Sequence, residues 1–135
     1  PRLYRQMPLN SIWEGSGNVM CLDVLRAIAR EPQCLDALAA EVEPALGRDA
    51  RLDALAARLK DELRRPDDLE GQARRVAQSI AIVMQGSLLV QFPPEYIAEA
   101  FCSSRLAASS FAGGAFGNLA ANAGLAEIME RAWPA

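Results

Sequence analysis

Proline and glycine cut the apolar positions of this chain into short runs, and within each run the spacing is that of a helix. After a lead through Pro8 and Asn10 that reads as irregular, Val19, Cys21, Leu22, Val24, Leu25 and Ile28 cover more than one helical face. They predict a largely buried helix with Ser16 or Asn18 as its cap, Arg26 and Arg30 at its negative end, and a boundary at Pro32. Pro32 suits a first helical position, and Leu35, Leu38, Ala39 and Val42 carry a second, short helix to Pro44 and Gly47. Asp49 can cap a third, in which Leu52, Leu55, Ala56, Leu59 and Leu63 form one stripe opposite Asp53, Arg58, Lys60, Asp61 and Glu62.

Past Pro66, Asp67 and Glu70 have the three-residue spacing of a capping box. They predict the opening of the longest helix, whose Leu69, Ala73, Val76, Ala77, Ile80, Val83, Met84 and Leu88 face the core. Its second half is apolar all round, as befits the central helix of a bundle. Pro93-Pro94 ends it before another amphipathic run with Ile97, Ala100, Phe101 and Ser104 on one side. Residues 109–124, rich in Ser, Gly, Ala and Asn, read as loop or frayed helix, and a last helix over 125–132 is expected to pack Leu125, Ile128 and Met129 back on the bundle. Met84, Phe92, Phe101 and Trp133 read as packing residues. The expected fold is all-α, an antiparallel bundle of about five helices with short connections.

Composition narrows the function classes. A length of 135 residues suits one domain, and 51% hydrophobic residues with only 6% aromatics is the mixture of close helix packing. The net charge of −3 offers no global attraction for polyanions, so a nucleic-acid partner would need a local patch of arginines. Cys21, Cys34 and Cys102 are widely spaced in a chain without histidine, which excludes a zinc site of familiar spacing; they read as reduced core thiols. The most apolar stretch, Ser79 to Phe92, is interrupted by Gln85, Gly86 and Ser87 and is shorter than the roughly 20 residues a membrane span needs. With no secretory pattern, the cytoplasm is the expected compartment. The opening Pro1-Arg2-Leu3-Tyr4 lacks an initiator methionine and enters sequence with the look of a domain interior, so the chain reads as part of a longer protein.

Chemistry concentrates in Asn10-Ser11-Ile12-Trp13-Glu14-Gly15-Ser16-Gly17-Asn18-Val19, where one carboxylate stands between an aromatic residue and a glycine-rich turn leading into a helix. Two readings are open on the residues alone. The turn is a helix entry with an exposed Glu14, or it presents a base beside backbone N–H groups and a hydroxyl that can meet a cofactor's phosphates.

The segment RQMPLNSIWEGSGNVMCLDVLR, Arg5 to Arg26, resembles the acyl-CoA dehydrogenase family, in which an aromatic-Glu-Gly-Thr turn precedes a helix. More narrowly it looks like the AidB-type branch of that family, which carries an added helical segment at its carboxyl end. The resemblance implies the following layout. Residues 1–30 end the family's helical domain, and 31–135 form the added bundle of the branch. Glu14 lies where the family keeps the base that takes the α-proton of an acyl-CoA thioester while a hydride leaves the β-carbon for FAD. Ile12, Trp13, Gly15, Ser16, Gly17 and Asn18 line the flavin rim, with Ser16 in place of the usual Thr. A weakly acidic α-proton needs such a base, held in place and screened from water. Trp13 is bulkier than the usual Tyr, and Met20 stands where many members carry Gln. The chain alone is expected to be inactive, since most of the site lies upstream, and the family implies a homotetramer.

Arginine makes the other constellation. Arg64, Arg65, Arg74 and Arg75 flank one helix junction and Arg26 lies on the first helix. Acidic neighbours at helical spacing, such as Asp61 for Arg65 and Glu70 for Arg74, favour a solvated, ion-paired face. The AidB-type resemblance implies the alternative, a bundle that contacts DNA or assembles oligomers, with salt-dependent phosphate contacts in the DNA case. Separated from its parent, the chain is expected to expose apolar surface on its first helix and to self-associate.

Overall fold

A computed structural model of the chain describes residues 2–11, 17–65, 69–92, 94–106, 117, 119–120 and 123–133. It is all-helical. In chain order the α-helices are α1 (Arg2–Gln6), α2 (Gly17–Arg30), α3 (Gln33–Val42), α4 (Ala50–Leu63), α5 (Ala73–Gln91), α6 (Glu95–Arg105) and α7 (Leu125–Ala132). Short 3-10 turns follow α1 at Met7–Ser11 and α3 at Glu43–Ala45, and another precedes α5 at Glu70–Gln72.

Local chemistry sets most of these limits. Pro32 immediately precedes α3 with φ −55°, which its ring supplies without cost. Pro44 converts the end of α3 into a 3-10 turn, and Gly47 then adopts φ +82°, a left-handed conformation that reverses the chain. Asp49 caps α4 as its sequence position predicts, accepting from the backbone N–H of Arg51 at 2.8 Å and of Leu52 at 3.4 Å.

The bundle is organised around α5, which packs against α2, α3, α4 and α6. Its Val76 and Val83 meet Val42, Ala45, Leu52 and Leu59 in the core, with Leu38, Leu55, Leu63 and Ile80 packed around them. One close approach depends on glycine: a methyl group at Gly86 would stand 3.2 Å from Leu52 Cδ1 and 3.6 Å from Phe101 Cε1. Two buried hydroxyls are absorbed by their own helices, Ser87 donating to the Met84 carbonyl at 2.9 Å and Ser104 to that of Ala100 at 2.6 Å.

Several expectations need correction. The lead is not irregular but forms α1 and its 3-10 turn, with Leu3, Tyr4, Met7 and Leu9 exposed. No residue of α2 is buried, and Val19, Met20 and Val24 face outward, because α2 meets the bundle along one side while its apolar residues cover more. This exposed surface is the one anticipated for a chain apart from its parent.

Further along, the longest helix begins at Ala73, after Glu70 has gone into the 3-10 turn, and Asp67 lies outside the described residues. Helix α7 spans the anticipated residues, but of its apolar face only Ile128 is half-buried, while Leu125 and Met129 are 43% and 69% exposed. Phe92 and Trp133 are exposed rather than packed. Of the three free thiols only Cys102 belongs to the core; Cys34 is exposed and Cys21 half-buried.

Candidate functional site

Of the residues assigned to the base turn, Ile12, Trp13, Glu14, Gly15 and Ser16 lie outside the described residues, while Gly17 and Asn18 are described. Gly17 opens α2, and Asn18 follows with its side chain turned toward α5, where its Oδ1 accepts from Arg74 Nε. A Cβ at Gly17 would stand 3.6 Å from Arg74 Nη2, so the guanidinium rests against the first turn of α2. Arg74 thus bonds to an amide rather than to Glu70, since Glu70 sits in the 3-10 turn and loses the helical spacing the sequence suggested.

Around this contact runs a cleft of about 540 Å³ lined by Asn18, Leu22, Glu70, Gln72, Arg74 and Arg75. Its lining combines donors of the kind that receive anions, the Asn18 amide and two guanidinium groups, with the carboxylate of Glu70. Arg75 is partly engaged, with Nη1 on Glu62 Oε1 at 2.6 Å and Nε on Gln72 Oε1 at 3.1 Å.

The remaining candidate arginines do not join this cleft. Arg26 pairs along its own helix with Asp23 at 2.6 Å. Because α4 ends at Leu63, Asp61 pairs with Arg64 at 3.5 Å and not with Arg65, which lies beyond the helix. Arg64 instead lines a second depression, an apolar groove of about 650 Å³ between α3 and α4.

Sequence reasoning missed one ionic cluster entirely. Arg51 binds its own cap residue Asp49, Nε to Oδ1 at 3.1 Å and Nη2 to Oδ2 at 2.6 Å, and also reaches Glu99 on α6. The Arg51 guanidinium, first among several causes, lowers the Asp49 carboxyl to about 2; it also lowers Glu99, and both carboxylates raise Arg51. Burial, together with the nearby Asp49 carboxylate, pushes the Cys102 thiol up to about 12. The cap and its arginine are visible in the chain at positions 49 and 51, but nothing marks Glu99 as their partner. Among the described residues no group of three potential ligands could hold a metal ion, and no helix is long and apolar enough to cross a membrane.

Comparison with known proteins supports a class first: the chain is similar to the acyl-CoA dehydrogenase family, and to its AidB-type branch in particular. The relative that carries this is the putative acyl-CoA dehydrogenase AidB of Escherichia coli (strain K12), 38% identical over 106 residues. The match takes in 78% of this chain but only 19% of that protein's length. A stretch of that size in a chain of 135 residues always includes 30–106, so the similarity extends through α3 to α6 rather than resting on the base turn alone. No family model and no solved structure matches.

Proposed function

We propose that the chain is the carboxyl-terminal helical piece of a cytoplasmic, FAD-dependent acyl-CoA dehydrogenase-like protein that assembles as a homo-oligomer. The observation carrying this reading is the 38% identity to a protein named as a putative acyl-CoA dehydrogenase. The donor set beside the start of α2 supports it, since the Asn18 amide and Arg74 are chemically suited to a phosphate-bearing nucleotide.

In this reading Gly17 and Asn18 belong to the flavin rim along with Ile12, Trp13, Gly15 and Ser16. FAD, when bound, supplies the hydride-accepting capacity for α,β-dehydrogenation. Glu14 is the base: its carboxylate takes the α-proton of the acyl-CoA thioester, and its placement on a tight turn supplies most of its effectiveness. Arg74 holds Asn18, and through it the first turn of α2, against α5. With most of the pocket contributed by other parts of the parent, the chain by itself has no turnover.

The test is flavin content, and flavin bleaching by acyl-CoA thioesters, in the parent protein and its Glu14→Gln variant. The variant is expected to retain flavin and to be reduced about 10²-fold more slowly or worse. A colourless parent, or equal reduction rates, overturns the reading. The competing reading, a DNA-binding module, has less support because Arg26, Arg64 and Arg75 already hold carboxylates. A DNA mobility shift at low salt, absent in both chain and parent, removes it.

A further inference from the structure

We draw no further inference here: the strongest candidate, the apolar groove between α3 and α4, carries charges of both signs, Asp36 and Asp53 with Lys60 and Arg64, and nothing in the structure shows what covers it.

Discussion

Arg51, in the first turn of α4, clasps both carboxylate oxygens of Glu99 on α6, Nη1 to Oε1 at 3.1 Å and Nη2 to Oε2 at 2.6 Å. The same guanidinium binds Asp49, so one planar group joins a helix cap to a helix 48 residues away in the chain. Two-pronged bonds of this kind fix orientation as well as distance. They matter here because α4 and α6 otherwise meet mainly through α5.

Removing the clasp should therefore loosen α6. Arg51→Ala is expected to cost about 1–3 kcal/mol in denaturant unfolding, since it strips the half-buried Asp49 of its partner. Arg51→Lys should recover only part of this, lacking the fork that spans two oxygens. Glu99→Gln should cost less than about 1 kcal/mol, because that carboxylate is largely in water. Arg51→Ala unfolding at the wild-type midpoint would show that the clasp is an incidental surface pair.

Acid should act on the same cluster. Asp49 has its carboxyl lowered from 3.8 to about 2, and Glu99 is lowered in the same sense. For a carboxylate whose folded pKa is depressed, the stabilisation is complete above the unfolded value and disappears as pH falls through the folded one. Asp49 should thus contribute on the order of 1–2 kcal/mol above pH 4 and progressively less toward pH 2. Urea midpoints of wild type and Asp49→Asn, measured across this window, should converge in acid; parallel curves would contradict the assignment.

Gly86 should tolerate one methyl group and no more. Alanine gains about 1 kcal/mol of helix propensity and meets Leu52 Cδ1 at 3.2 Å, so Gly86→Ala should lie within about 1 kcal/mol of wild type. Gly86→Val must displace the fully buried Leu52 and should cost about 2–3 kcal/mol. Thermal unfolding of both variants tests this, and a neutral valine would mean that α4 and α5 are less tightly opposed than the contact implies.

Thiol reagents should distinguish the cysteines by burial and ionisation. Cys34 is exposed and should react first. Cys102, buried with its thiol pushed up to about 12, should react only on unfolding. Mass spectrometry of partly labelled protein gives the order directly; early modification of Cys102 would show that α6 opens readily.

How much of this was legible in the chain depends on the range of the forces involved. Asp49 reads as a cap, and Pro44 with Gly47 as a helix end, because each acts on backbone groups within a few residues of itself. The stripe of Leu52, Leu55, Ala56, Leu59 and Leu63 likewise announces α4 and its buried side, and the run through Val76 and Val83 marks the central helix. At the candidate site the motif around Glu14 is a sequence observation, and the resemblance it carries agrees with the relative found by comparison.

Burial and partnership were decided elsewhere. Part of the apolar pattern of α2 and α7, Val19, Met20, Val24, Leu125 and Met129, remains exposed, since a pattern states that a face can be buried and not what is there to bury it. Arginine pairing followed helix ends rather than nominal spacing: Arg64 took Asp61, and Arg74 found Asn18 across 56 positions. The sequence by itself determined that this protein is helical, where Asp49 starts a helix and Pro44 with Gly47 ends one, and which family it resembles, because those properties are written in local backbone preferences and contiguous motifs. Only tertiary structure decided that Arg51 meets Glu99, that Arg74 supports the start of α2, and that a groove lies open between α3 and α4, because contacts between distant residues depend on how helices pack in space and leave no periodic trace along the chain.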